Sequence, residues 1–282
     1  MHVFYRKGEL VAHLEGERDK NHSIGLVPTM GALHRGHLSL VEKALSENDR
    51  AVVSIFVNPT QFDQRDDLEK YPRNLERDLD LLEQYSERLV IFSPTVEEIY
   101  GGDVSSRTYE FDGLDQVMEG AFRKGHFNGV GTVVELLLRT VSPDRAYFGE
   151  KDFQQLQIIR KMTEIKNLPY AIIGCPIERE PNGLAMSSRN ERLSSDTRAE
   201  AGIIHQGLMT AKTHFGTENA ERTKARARSL VEGRPGFEVE YFEIADEADL
   251  RPMVQLEPGH TYRAFIAVYA DGVRLIDNLR MN

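Results

Sequence analysis

IGLVPTMGALHRGH, residues 24–37, joins a short apolar segment to a polar segment that contains two glycines. Residues 24–28 have the composition of a buried parallel strand, and residues 37–48 carry apolar side chains at helical spacing. A strand that runs through a turn into a helix is the repeating unit of a doubly wound sheet. In such sheets, ligands bind at the carboxyl ends of the strands.

The same alternation continues to about residue 175. Apolar, β-branched segments predict further strands at 51–57, 89–92, 145–148 and 170–175. Apolar residues three and four positions apart predict helices at 74–86, 130–141 and 152–166. Because strands and helices alternate, we expect an α/β fold with a Rossmann-like, doubly wound parallel sheet.

Beyond residue 178 the order of elements changes. Residues 178–190 are polar and rich in turn formers. The elements predicted after them are helices at 196–215 and 219–232 and strands at 237–245, 261–270 and 273–276. The sequence therefore predicts two domains, a catalytic domain over 1–178 and a smaller C-terminal α+β lid domain over 179–282.

Composition limits the class of protein. The chain has 282 residues and a net charge of −10, which disfavours a protein that coats nucleic acid. Its single cysteine, Cys175, excludes an intramolecular disulfide and a cysteine-rich zinc site. No segment resembles a signal peptide or a membrane span. We expect a cytoplasmic protein that acts on neither nucleic acid nor membranes.

His34 and His37 are the first candidate functional residues. They stand three residues apart where a helix begins after a strand, so their rings should point the same way. Free N–H groups at a helix start and a neutral imidazole N–H all suit a phosphate. The alternative is a pair of surface histidines in a turn.

Residues 149–155, GEKDFQQ, form a second candidate segment between a strand and a helix. Lys151 can neutralise a phosphate, and Asp152 can cap the helix or face a magnesium–phosphate cluster or a hydroxyl. Gln155 can both donate and accept hydrogen bonds. Gln61 follows a neighbouring strand and could meet Gln155 over one small ligand. The alternative is a charged loop before a capped helix.

Met186-Ser187-Ser188-Arg189 forms a third candidate segment, in the turn-rich region. Two hydroxyls and a guanidinium in a loop can close over a triphosphate. Taken alone, the same residues also fit a solvated linker.

Two further polar clusters leave both interpretations open. Arg123, His126 and Asn128 form a predicted loop before a helix, either structural or lining a site. Asp63, Asp66, Asp67 and Glu69 form an acidic cluster that is typical of solvated surface, with metal binding as the alternative.

Together these segments resemble a known family. His34-Arg35-Gly36-His37 resembles the His-x-Gly-His signature of the nucleotidylyltransferase superfamily, and Met186 to Arg189 resembles its second, phosphate-closing signature. Within that superfamily the chain resembles the pantothenate synthetase family over nearly its whole length. The strings that carry the resemblance are PTMGALHRGH, VSIFVNPTQF, YPRNLERDLD, GHFNGV, YFGEKDFQQLQIIRKM, GLAMSSRNERL and RLIDN.

The resemblance implies an enzyme that joins pantoate to β-alanine through a pantoyl adenylate, with ATP as co-substrate and Mg2+ accompanying it. It implies His37, His34 and Lys151 as catalytic residues, Gln61 and Gln155 as pantoate ligands, and Gln61 also as a β-alanine ligand. The implied ATP-binding residues are Met30, Gly31, Ala32, Leu33, His34, Arg35, Gly36, His37, Gly149, Glu150, Lys151, Asp152, Glu178, Met186, Ser187, Ser188 and Arg189. Direct metal ligands are not implied.

The resemblance also implies a homodimer. Two rival functions fit the superfamily, namely another nucleotidyl-transfer or amino-acid-activating reaction and a catalytically silent nucleotide-binding module. The acidic charge disfavours a tRNA-binding version of the first. The presence of both histidines, Lys151 and Arg189 disfavours the second.

Overall fold

The computed structural model describes residues 1–62, 68–69 and 71–282. Asp63, Asp66 and Asp67 of the acidic cluster lie outside these residues. Contacts within the chain divide it into two compact units. The first comprises Met1–Asp115, Glu119–Glu150 and Gln155–Pro176, and the second comprises Gln116–Met118, Lys151–Gln154 and Ile177–Asn282.

The first unit is built on a parallel sheet. Among the described residues it has six strands in the order β1-β4-β3-β2-β5-β6, every pair parallel. The strands are β1 (His2–Phe4), β2 (Ile24–Thr29), β3 (Arg50–Ile55), β4 (Leu89–Phe92), β5 (Arg145–Gly149) and β6 (Ala171–Cys175). Because the order reverses between β2 and β5, the predicted doubly wound fold is confirmed.

Helices connect these strands. They are α1 (Lys7–Arg18), α2 (Arg35–Glu47), α3 (Leu75–Leu82), α4 (Val96–Tyr100), α5 (Met118–Phe122), α6 (His126–Val141) and α7 (Phe153–Ile165). One hydrophobic core beside the sheet packs α2 on β2 and β3, and it contains Val41, Val27 and Val53. No helix in the described part of the chain has the length and apolar character of a membrane span.

Besides the short helices α4 and α5, two features of the first unit were not predicted from the sequence. β1 and α1 occupy the polar N-terminal segment, where the apolar residues Leu10 and Leu14 form the buried stripe of α1. The second feature is the start of α6, which begins at His126 and not at residue 130. Gly125 precedes it with a φ of 78°, a left-handed conformation that glycine adopts without strain.

The second unit contains an antiparallel sheet of three strands among the described residues, in the order β7-β8-β9. Its elements are α8 (Ser195–Glu200), α9 (Ile203–His214), α10 (Ala220–Glu232), β7 (Phe237–Asp246), β8 (Tyr262–Ala270) and β9 (Val273–Arg280). Asp271 and Gly272 form the predicted hairpin turn, both with positive φ. The unit is α+β, as predicted.

The single helix predicted at 196–215 is wrong, because α8 and α9 are separate helices. The helix is interrupted at Ala201 and Gly202. A Cβ at Gly202 would lie 2.1 Å from the carbonyl oxygen of Asn182, so the backbone here approaches a neighbouring turn more closely than a side chain permits.

Candidate functional site

The turn between β2 and α2 has an unusual backbone. Gly31 and Ala32 both have positive φ, 76° and 50°. For a residue with a Cβ such as Ala32 this conformation costs about 1 kcal/mol. Other contacts must therefore hold the turn in place.

Asp78, on α3, supplies those contacts. One carboxylate oxygen accepts the N–H of Ala32 at 3.0 Å, and the other accepts the N–H of Leu33 at 2.7 Å. Asp78 is only 2% exposed. Burial raises the pKa of its carboxyl group, while the two backbone N–H groups act in the opposite direction. The role of Asp78 was not predicted from the sequence, because nothing local links it to residues 45 positions earlier.

His34 and His37 lie side by side, with ring centroids 4.1 Å apart, as their spacing predicts. Nδ1 of His34 accepts the N–H of Gly36 at 3.1 Å, and Nδ1 of His37 accepts the N–H of His34 at 3.3 Å. A backbone N–H can only donate, so each Nδ1 carries no hydrogen. Each neutral ring therefore has its hydrogen on Nε2 and is an N–H donor at that nitrogen.

Arg35 lies between the two histidines but points elsewhere. Its guanidinium makes two hydrogen bonds to the Glu42 carboxylate, at 2.6 and 2.9 Å. This side chain is more than half exposed.

Gln61 ends a 3-10 turn, Pro59–Gln61, that follows β3. Its side-chain amide donates to Sδ of Met30 at 2.8 Å and its side-chain oxygen accepts from Asn58 at 3.2 Å. Asn58 is buried and also donates to the carbonyl of Gly129, at 3.2 Å. The Gln61 amide is therefore held against the Met30 turn.

The backbone at Gln61 is fixed by the start of α6. Nδ1 of His126 lies 2.8 Å from the Gln61 carbonyl oxygen, and Arg123 donates to the same oxygen at 3.3 Å. A Cβ at Gly129 would lie 2.3 Å from the Thr60 carbonyl oxygen, so this contact requires glycine.

The loop predicted to include His126 and Asn128 is thus wrong in part, because both residues belong to α6. His126 supports Gln61 from the first turn of that helix. Asn128 accepts the backbone N–H of Tyr109 at 3.2 Å and has a structural role.

The carboxyl ends of β3, β2 and β5 are neighbours, because β2 pairs with both other strands in parallel. Met30, the Gln61 turn and Gly149 with Glu150 therefore start from the same edge of the sheet. Gln155 lies half-buried in the first turn of α7. The candidate residues of the first unit therefore all lie at the end of, or follow, strands that end at this edge.

Lys151 and Asp152 belong to the second unit and end the 3-10 turn Glu150–Asp152. Nζ of Lys151 lies 3.5 Å from a carboxylate oxygen of Asp152. The backbone carbonyl of Lys151 accepts a hydrogen bond from Asn278 at 2.8 Å.

Residues 178–186 form a short hairpin in the second unit. The N–H of Met186 donates to the Glu178 carbonyl at 2.9 Å, and Arg179 forms a β-bridge with Ala185. Ser187 follows directly, and its hydroxyl accepts the N–H of Arg189 at 3.2 Å. Glu178 and Met186, both candidate nucleotide ligands, are therefore adjacent through their backbones.

Metal ligands are not grouped in the described residues. Within 1–62, 68–69 and 71–282, no three His, Cys, Asp or Glu side chains lie close enough together to hold a metal ion.

Comparison with protein families identifies the chain's relatives. The family model for pantoate-beta-alanine ligase matches residues 2–280. A curated pantothenate synthetase from Christiangramia forsetii is 55% identical over 282 residues, which is all of both chains.

Solved structures agree with this family match. A crystal structure of pantothenate synthetase from Thermus thermophilus is 40% identical, with a TM-score of 0.91, and the match covers 100% of this chain and 99% of that one. Pantoate-beta-alanine ligase from Francisella tularensis, complexed with beta-gamma ATP and beta-alanine, is 35% identical with a TM-score of 0.81. That match covers 100% of this chain and 98% of the other.

The role of Asp78 in holding the Gly31 turn predicts the effect of Asp78→Asn. The amide would place a donor against one of two backbone N–H groups, so we expect the free energy of unfolding to fall by about 1–3 kcal/mol. The measurement is urea unfolding, with Asp80→Asn, an exposed change on the same helix, as the control. Equal stability of the two variants would contradict this role.

Proposed function

The chain belongs to the pantoate-beta-alanine ligase family, and from that premise we propose how its own residues condense pantoate with β-alanine to give pantothenate. The reaction consumes ATP and releases AMP and pyrophosphate. The observation that supports the assignment most strongly is the His34–His37 pair, whose rings lie side by side at the start of α2, each with Nδ1 accepting a backbone N–H.

The reaction has two steps. A carboxylate oxygen of pantoate attacks the α-phosphorus of ATP, the bond from that phosphorus to the β-phosphate oxygen breaks, and pyrophosphate leaves. The amine of β-alanine then attacks the acyl carbon of pantoyl adenylate, loses a proton and displaces AMP. Adenylation is needed because a free carboxylate is a poor acceptor for an amine, whereas AMP is a good leaving group.

We assign His34 and His37 to the phosphates in the first step. Negative charge develops on the α-phosphoryl oxygens and the leaving pyrophosphate, and N–H donors already aimed there stabilise it without reorganising. The backbone from Met30 to Gly36 adds N–H groups at a helix start, where anions bind favourably. His37 donates a hydrogen bond, and adenylation requires no proton transfer from it.

We assign Gln61 and Gln155 to pantoate. An amide can donate to a carboxylate and accept from a hydroxyl, and pantoate carries both groups. Met30 and Asn58 restrict the Gln61 side chain before substrate arrives, which lowers the entropy lost on binding. Gln61 also lies near the incoming β-alanine in this proposal.

The remaining assignments concern ATP. Gly149 to Asp152 hold the ribose and phosphates, with Lys151 neutralising phosphate charge. Glu178 contacts adenine through its backbone, and Met186 to Arg189 close on the triphosphate. Mg2+ enters as MgATP, as part of the substrate. Residues 179–282 act as a lid over the nucleotide.

Two further proposals follow from composition and family. The chain has a single cysteine and an acidic net charge, both of which suit a cytoplasmic enzyme, and we propose that location. We also propose that the chain forms a homodimer.

The two-step mechanism predicts isotope exchange between pyrophosphate and ATP in the absence of β-alanine. Exchange requires pantoate, because only formation of the adenylate releases pyrophosphate reversibly. The measurement follows labelled pyrophosphate into ATP, with and without pantoate. Equal exchange in the absence of pantoate, or none in its presence, would refute the mechanism.

The role of Gln155 predicts a selective effect of Gln155→Ala. We expect KM for pantoate in the exchange reaction to rise about tenfold or more, as for a lost hydrogen bond to a charged group, with KM for ATP nearly unchanged. Gln157→Ala, two residues along the same helix, is the matched control. A parallel rise in both KM values would count against this assignment.

A further inference from the structure

Two consecutive residues of β9, Asp277 and Asn278, are both buried, with 4% and 2% of their surfaces exposed. Successive side chains of a strand point to opposite faces, so burial of both means that the strand is covered on both sides at this point. Buried polar groups need partners. The partners here come from two distant segments of the second unit.

Asn278 holds the segment that begins at Lys151. Its side-chain N–H donates to the Lys151 carbonyl at 2.8 Å, and its side-chain oxygen accepts from Arg263 at 2.6 Å. The guanidinium of Arg263 also lies 3.9 Å from the ring centre of Phe153 and donates to Glu247 at 2.7 Å. Residues 151–153 are therefore held to the sheet both by a hydrogen bond and by a cation–π contact.

Asp277 holds the hairpin that leads to Ser187. Its two carboxylate oxygens accept from the Arg179 guanidinium at 2.6 and 3.0 Å. The same guanidinium donates to the Gly183 carbonyl across the hairpin at 3.0 Å. Ser187 follows that hairpin without an intervening loop, so the position of its hydroxyl depends on this ion pair.

We propose that Asp277 and Asn278 are positioning residues of the reaction, which anchor the Lys151 segment and the Ser187–Arg189 segment to one strand. The inference rests on the proposed function, which assigns both segments to the phosphates of ATP. Neither residue touches substrate. Each acts through a backbone or guanidinium contact that fixes where phosphate-binding groups stand.

A purely stabilising role explains these residues poorly. A buried ion pair is often no more stabilising than apolar side chains of similar volume, because desolvation offsets the attraction between the charges. The polar groups instead fix the orientation of the segments that they contact. An amide that meets one particular carbonyl and a carboxylate that meets a guanidinium in two bonds restrict both the distance and the orientation of their partners.

The test uses two variants of the full chain. Asn278→Asp is nearly isosteric and keeps the acceptor for Arg263, but it loses the donor to the Lys151 carbonyl. Arg179→Lys replaces the two-bond contact with Asp277 by a single ammonium. Asn219→Asp is the control, because it is the same chemical change at an exposed helix cap where aspartate serves equally well.

Three quantities are measured for each protein: thermal stability, the dissociation constant of MgATP by calorimetry, and the KM and kcat of pantoate-dependent pyrophosphate exchange. We expect both variants to bind MgATP about tenfold more weakly or to lose about tenfold or more in kcat, as misplaced groups do. KM for pantoate should stay within about twofold, because Gln61 and Gln155 belong to the first unit. The control should match the wild-type protein.

Folded variants with unchanged MgATP affinity and kcat would overturn the inference, as would equal losses in the ATP and pantoate parameters. If Asn278→Asp does not fold, Arg179→Lys decides by the same criteria. Failure of the wild-type protein to show pantoate-dependent exchange would instead overturn the proposed function. The inference is then decided by MgATP affinity, which it predicts to fall in the variants but not in the control.

Discussion

The structure of the turn between β2 and α2 depends on one buried carboxylate. Asp78 accepts the N–H groups of Ala32 and Leu33, and the turn they belong to has a left-handed backbone at a residue that is not glycine. This turn sets where α2 begins. The start of α2 in turn sets the hydrogen bonds that leave Nε2 of His34 and His37 as N–H donors.

The proposed catalytic strategy is to position the reacting groups. The protein itself forms no covalent bond to substrate in either step. Adenylation and amide formation need no protein nucleophile, so the enzyme gains rate by aligning carboxylate and phosphorus and by stabilising charge that develops on phosphate oxygens. In the proposed mechanism the polar contacts around Gln61 serve the same end, because Asn58 and Met30 hold its side chain in one position. An acidic chain can act on a triphosphate in this way, since local donors outweigh its mean charge.

The sheet and the candidate segments could be predicted from the sequence, but the side chains that hold those segments in place could not. β2 to β6 were predictable because each is a short apolar run, whereas β1 has three residues beside a charged helix. Asp78 and Asp277 stand in two of the strings that carry the family resemblance, but their roles were not predicted, because their partners lie 45 and 98 residues away and nothing local indicates those contacts. The residues predicted to bind ligand stand in short motifs at strand ends, whereas the contacts that hold those motifs in place depend on tertiary packing.

In the proposed mechanism everything follows from attack of the pantoate carboxylate on the α-phosphorus. The most direct test is to supply pantoate with 18O in both carboxylate oxygens, together with MgATP and β-alanine, and to analyse the products by mass spectrometry. We expect one 18O in AMP, one in the amide carbonyl of pantothenate and none in pyrophosphate. AMP without the label, or label in pyrophosphate or inorganic phosphate, would contradict it.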